Sequence, residues 1–441
     1  MILCKALLLF SAFCAVPALA EIREISVNDD FRQAVAALSP GDHLVLRSGT
    51  YSFDSRLNVT VVGLREQPIV IRAREGESVL IEMNSGLHNV LEIQDSRYLK
   101  IHNLGFRGGS HGIRLMNSDY VTIQDCEVYE TGDVAISANS GGTYEGLVIR
   151  GNHIHHTNST GEGMYLGCNN DTCRVMNSLI EFNYVHHTNG PTVEQGDGIE
   201  LKEGSAGNII RHNVIHDTNY PGIITYGTAG NGPANIIEGN LIWGTNDFAI
   251  QSAADSVIRN NIILGESIGL QPHQAGSPSN QRILHNTVVA EGNGIEVRGV
   301  SGAIVIANNA IYSQSGSAIR LISGSTGLVT VAGNVGSGGL FGAEEGYIDG
   351  NGVSTDFING HFTGMPPIDL FPAQGSALVA AGSSRHVPAY DFNGDSRQGA
   401  ADAGAYRFHE GGNPGWALSP AFKILSDHGA LPKLPTHLVP D

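Results

Sequence analysis

One segment recurs along this chain. GLVIRGNHIHHT (146–157), NSLIEFNYVHHT (177–188), GNIIRHNVIHDT (207–218), ANIIEGNLIWGT (234–245) and DSVIRNNIILGE (255–266) are copies of it, with looser copies at 98–106, 120–131, 280–291 and 302–313. Each sets apolar residues at near-alternating positions around a central Asn or Asp: Asn103, Asp125, Asn152, Asn183, Asn213, Asn240, Asn261, Asn286 and Asn309, 21 to 31 residues apart. A second short apolar run follows each copy, such as GMYL (163–166), GIEL (198–201) and GIIT (222–225). Such alternation belongs to β-strands, and one repeat cannot bury both faces of strands this short. Stacked coils can, by pairing every strand with its equivalent in the next coil. β-Branched residues and Gly-rich turns exclude a helical solenoid, and the repeat is too short for a propeller blade. The expected fold is all-β: a single-stranded right-handed parallel β-helix, with its asparagines stacked as a ladder of amide hydrogen bonds.

The ends divide the chain further. Residues 1–20 read as an export signal: Lys5, an apolar run from Ala6 to Val16, and the small-x-small site Ala18-Leu19-Ala20. The run is too short to span a bilayer, so the mature chain is expected in the periplasm or secreted, without a membrane span. Residues 21–64 form an N-terminal cap and first coil, with a short helix from Asn28 as N-cap to Leu38, stopped by Pro40-Gly41. Residues 65–335 hold the repeats. Residues 336–441 form the last irregular coils and a tail. Cys168 and Cys173 bracket a turn-forming stretch and suit a disulfide in an oxidising compartment, while Cys126 reads as a buried thiol. The formal charge is 25 − 43 = −18. That excludes nucleic acid as a partner and admits an acidic glycan only where a basic group or bound cation offsets the repulsion.

Strand parity locates candidate chemistry. With Ile199 and Leu201 turned inward, Glu200 and Lys202 point outward. Tyr165, Glu200, Lys202, Tyr226, Gln251, Gln271 and His273 then form a column suited to sugars, since aromatic rings stack on sugar faces and amides bond hydroxyls. The plain alternative is a solvated sheet face. The longest insertions cluster over the same coils, as functional insertions in solenoids do. Asp197, Glu194 and Glu203, with Glu200, offer hard oxygens for Ca2+, although acidic Gly-rich turns also occur without metal. His153, His155, His156, His186, His187, His212 and His216 form another column, read either as a transition-metal site or as ordinary stacking of like residues. DFNGDSR (391–397) lacks the distant Glu of a calcium loop and reads as a tight turn.

SPGDHLVLRSGTYSF (39–53), QPIVIRA (67–73) and NVLEIQDSRYLKIHNLGFRGG (89–109) resemble the opening of the pectate-lyase-like β-helix superfamily, in particular the alginate and chondroitin lyases of polysaccharide lyase family six. DGIELKEGSAGNIIRHN (197–213) is similar to that family's catalytic stretch. The resemblance implies Lys202 as the base that removes the C5 proton of a uronate and Asp197 as a Ca2+-linked carboxylate. Where the family carries Arg-His-Gly, this chain has Tyr226, a residue able to act as general acid or base. Tyr165 and Arg298 are expected near Lys202. The expected function is a monomeric polysaccharide lyase acting on an acidic glycan by β-elimination. Two other readings stay open: a glycoside hydrolase using Asp197 with Glu200 or Asp247, and a non-catalytic carbohydrate-binding or envelope β-helix.

Overall fold

The structure, a computed structural model, describes residues 20–273, 276–322 and 326–425. The export signal expected over 1–20 lies, but for Ala20, outside them. Each coil contributes a strand to each of three parallel sheets, of 13, 12 and 13 strands. One coil, for example, supplies Val148–Arg150, His153–His155 and Met164–Leu166. The recurring segment is thus two strands, bent apart at its centre, and the second apolar run is the third.

Register aligns like with like. Ile149, Ile180, Ile210, Ile237, Ile258, Ile283 and Ile306 pair successively along the first sheet. Ile199, Ile223, Ile250, Ile268, Ile295 and Ile319 do the same along the 12-stranded sheet. All are at most 1% exposed. Each such side chain contributes roughly 1.5–3 kcal/mol by leaving water.

The bend between the first two strands is held by amides. Asn183 Nδ2 donates to Asn213 Oδ1 and to Ile149 O, both at 2.9 Å, while its Oδ1 accepts from the backbone and side-chain amides of Asn152 at 3.0 Å. The pattern repeats through Asn213, Asn240, Asn261, Asn286 and Asn309 to Asn334. Asn103 and Asp125 are not in this ladder. They take the left-handed conformation (φ 55° and 52°) that precedes each ladder position, which Asn and Asp tolerate better than most residues. Leu104 and Cys126 fill the ladder column in their coils, and Cys126 N donates to Asn152 Oδ1 at 3.0 Å. A second ladder, Ser178–Asn208–Asn235, runs beside the first sheet.

The N-terminal helix is shorter than expected, Phe31–Ala36, with Asp30 rather than Asn28 as its cap; the Asp30 carboxylate accepts from Gln33 N. Cys168 and Cys173 are disulfide-bonded, and Cys126 is a buried thiol, pushed up to about 12 by burial. Asp391 Oδ1 accepts from Asn393 N and Asp395 N, closing 391–397 into a tight turn. Beyond the coils, the tail returns along the stack over a second apolar core that includes Trp243, Phe371, Phe392 and Tyr406. No described helix is long and apolar enough to cross a membrane.

The ladder gives a contrast in stability. Asn213→Ala leaves the buried Asn183 backbone N–H without its acceptor and its Nδ2 with only Ile149 O, so it should cost about 1–3 kcal/mol, read as a lower urea midpoint. Asn103→Gly, outside the ladder at a left-handed position that glycine accepts, should stay within about 0.5 kcal/mol. Equal shifts would refute the assignment of the ladder.

Candidate functional site

A cavity of about 730 Å³ opens on the outer face of the 12-stranded sheet over the middle coils. Its floor follows from register. Tyr165 pairs with Glu200 across Met164–Leu166 and Ile199–Leu201, then Glu200 with Ile224 and Ile224 with Gln251. Lys202 and Tyr226 stand one residue beyond strands Ile199–Leu201 and Ile223–Thr225, and their backbone amides continue the ladder to Leu166 O and Leu201 O. Parity therefore turns Glu200 and Lys202 outward, yet neither meets solvent freely: they are 2% and 5% exposed. The insertions carrying Thr160, Gln195, Tyr220 and Pro221 wall the cavity around them.

At the centre, Lys202 Nζ lies 2.5 Å from Glu200 Oε1 and donates to Tyr226 OH at 3.4 Å. Tyr226 OH donates to the same Glu200 oxygen at 3.0 Å. Nζ also sits over the Tyr165 and Tyr226 rings, 4.7 and 4.9 Å from their centroids. Burial pushes the Lys202 amine down, but the Glu200 carboxylate and the Tyr165 hydroxyl outweigh it, and the net shift is upward. The amine is therefore held protonated. Burial, followed by Glu200, also raises Tyr226.

Beside this pair, oxygens of Glu162, Asp197 and Glu200 all lie within 4.8 Å of one another, and all three residues are buried. Burial is the main force raising their protonation; Glu200 adds to it at Glu162 and Asp197, and Glu203 adds to it at Glu200. Glu162 is pushed up to about 7, Asp197 well above its usual range, and Glu200 upward. One oxygen of each, Glu162 Oε1, Asp197 Oδ1 and Glu200 Oε2, is buried without a hydrogen-bond partner among the described residues. Three converging buried carboxylates, each with an orphan oxygen, fit a hard cation, which is bound through carboxylates.

Around the centre, Gln271 Nε2 donates to Gln251 Oε1 at 2.9 Å, and His273 meets the Tyr226 ring edge-on at 4.6 Å. Asp247 lines the same cavity. Three expected residues lie elsewhere. Arg298 is in register with Lys202 but four strands further along the sheet, roughly 19 Å at ~4.8 Å per strand. It pairs instead with Glu296 at 3.1 Å. Glu194 is exposed on an insertion, because the loop that brings Asp197 inward turns only at Gly196. Glu203 is fully buried, with neither carboxylate oxygen hydrogen-bonded among the described residues, but it stands outside the three-carboxylate group. Glu162 takes the place assigned to them. Its signal was present in the repeat: Gly161-Glu162-Gly163 and Gly196-Asp197-Gly198 occupy equivalent positions before paired strands.

Residues 25–219, which include Glu162, Asp197, Glu200 and Lys202, match the family model of Pel9A-like right-handed β-helix regions, and residues 174–335 match that of right-handed β-helix regions. A curated relative, pectate lyase PEL9 of Emericella nidulans, is 33% identical over 116 residues, covering 22% of this chain and 28% of that protein. The matched stretch thus spans little more than a quarter of that relative's length. The crystal structure of pectate lyase Pel9A aligns with a TM-score of 0.53 at 14% identity, covering 88% of this chain and 96% of the other. An alginate lyase from Paenibacillus sp. aligns with a TM-score of 0.45 at 20% identity, covering 74% and 99%.

Glu162 makes a pH prediction. Its pKa is raised from 4.5 to about 7, so the folded chain holds that proton more tightly than the unfolded one. The stabilisation is present below pH 4.5 and lost as pH rises through about 7. Relative to Glu162→Gln, the unsubstituted chain should lose about 3 kcal/mol across that window, measured by urea unfolding at a series of pH values. Parallel curves would contradict it.

Proposed function

We propose that this pectate-lyase-like right-handed β-helix is an exported, monomeric polysaccharide lyase that cleaves a uronate-containing glycan by β-elimination. One observation carries the reading: a single buried amine, Lys202, stands against three buried carboxylates with orphan oxygens, on the floor of an open groove. Glu162, Asp197 and Glu200 are the residues to hold Ca2+. When bound, Ca2+ would neutralise the uronate carboxylate, acidify its C5 proton and offset the Glu200 charge that keeps Lys202 protonated. Lys202, once neutral, takes the C5 proton. The Tyr226 hydroxyl, 3.4 Å from Nζ, gives a proton to the leaving oxygen as the C4–O bond breaks and the C4–C5 double bond forms. Gln251, Gln271 and His273 suit the hydroxyls of neighbouring sugars, and the Tyr165 ring suits a sugar face. The signal at 1–20 supports export.

A second reading has one observation in its favour. A carboxyl held near 7, Glu162, suits the general acid of a glycoside hydrolase, with Asp247 in the same cavity as its partner.

The test is a panel of uronate polysaccharides with Ca2+, read by ultraviolet absorbance of unsaturated ends. Lys202→Ala should lower the rate at least ~100-fold, and Tyr226→Phe should lower it comparably. Because Lys202→Ala strands a buried Glu200, it should also destabilise the fold by about 3 kcal/mol, whereas Tyr226→Phe tests the chemistry with less disturbance. The kcat/KM should climb with pH into the alkaline range, as Lys202 deprotonates. New reducing ends without absorbance would move the assignment to the hydrolase, and Lys202→Ala with unchanged turnover would remove Lys202 as base.

A further inference from the structure

The 13-stranded sheet that begins at Gly49–Phe53 is a different face of the solenoid, and the groove does not involve it. Register stacks two columns there. Tyr129, His155, His186, His216 and Trp243 form one, and Glu127, His153 and Tyr184 the other. Stacking of like residues accounts for the first column, whose successive rings from His155 to Trp243 lie nearly parallel with centroids 4.3–5.1 Å apart. It does not account for the carboxylate set between His155 and His153, one histidine from each column. Glu127 Oε1 lies 3.1 Å from His155 Nε2 and 3.4 Å from His153 Nδ1.

We propose that Glu127, His153 and His155 bind a divalent transition-metal ion of the zinc class, at a site independent of the groove. Tetrahedral zinc with bonds of about 2.0–2.1 Å sets its ligand atoms roughly 3.3 Å apart. The two edges at Glu127 bracket that spacing, and all three ligand atoms lie within 4.8 Å of one another. The donor set, two imidazoles and one carboxylate, is one that zinc uses where a coordination position is left open. The Glu127 side chain is 47% exposed and that of His153 32%. A cavity of about 560 Å³ lined by both gives an ion access.

The remaining ring nitrogens of both histidines are also engaged. His153 Nε2 lies 2.8 Å from His186 Nε2, and His155 Nδ1 lies 2.7 Å from His156 Nδ1. A ligating histidine characteristically donates its other N–H to a fixed acceptor, which sets its tautomer and orientation. Here neighbouring imidazoles are placed to accept. His186 passes the arrangement on, its Nδ1 lying 2.6 Å from His187 Nδ1. A looser group, His187, His216 and Asp217, lies further along the stack. There His187 Nδ1 lies 3.9 Å from Asp217 Oδ2, a wider edge than either at Glu127, so the ion is assigned to the first group.

The probe is Zn2+ alone, added to the whole metal-free chain and followed by competition with a chromophoric chelator. Co2+ serves as a spectroscopic reporter of tetrahedral geometry. The expected result is one tight equivalent with an intense Co2+ band. Glu127→Gln should weaken it at least ~10-fold and His155→Asn further, and His186→Asn should weaken it ~10-fold through His153. Glu127→Gln changes a half-exposed side chain and leaves the apo-protein midpoint unchanged, so lost binding there cannot be misfolding. Absence of stoichiometric binding, or binding indifferent to Glu127→Gln and His155→Asn, overturns the proposal. The readout makes no use of glycan cleavage and stands or falls separately from the lyase reading.

Discussion

Side-chain amides bonded to side-chain amides set the geometry of this molecule. Apolar stacking alone leaves coils free to slip, because one isoleucine column resembles another. An asparagine fixed to the asparagine above it and to a backbone carbonyl below has a single satisfied position. A slip would leave buried N–H and C=O groups unpaired in every coil at once, at about 1–3 kcal/mol for each. Register fixed at one bend fixes all three faces. The groove around Lys202 and the histidine columns are both products of that alignment, on separate faces of one stack.

The groove reverses the economy of the core. Four ionisable side chains, Glu162, Asp197, Glu200 and Lys202, are taken out of water within a few ångströms, one amine among three carboxyl groups whose ionisation burial opposes. Burying charges that are not fully paired costs several kcal/mol per ion. The surrounding isoleucine columns supply the stability that tolerates this. Perturbed ionisable groups concentrated in a cleft are a mark of functional sites, and this cleft gathers them within a few ångströms.

The fold was legible because its signal is periodic. Repeat spacing, strand alternation and the Asn column were all present in the linear sequence. Single-position errors entered where chemistry tolerated an alternative. Asn103 and Asp125 resemble ladder residues but occupy the left-handed turn, since the same amide that stacks in a ladder also tolerates positive φ. Parity placed Lys202 and Glu200 outward but could not show that insertions would bury them. Arg298 holds the right register in the wrong coil, because periodicity conveys phase and not distance. Glu194 and Glu203 are close to Asp197 in sequence only. Glu162, 35 residues before Asp197, is the true neighbour, since in a solenoid adjacency runs between coils.

The returning tail touches the stack at several coils. Ser383 N reaches Asn308, Ala405 N reaches Thr287, Arg397 reaches Asn260, and Lys423 reaches Gly239 and His212. Each anchor engages a different coil, and the buried Arg397 and Lys423 bond there to backbone carbonyls as well. An open solenoid can lengthen by duplicating a repeat, since each coil meets only its neighbours. Here a coil gained or lost between His212 and Asn308 would shift every later anchor out of step with the tail. The tail, whose Phe422 also meets the rings of His153 and Tyr184, therefore acts as a tape measure that holds the coil count constant from the coil of His153 onward, leaving the earlier coils as the part of the chain able to change length in evolution.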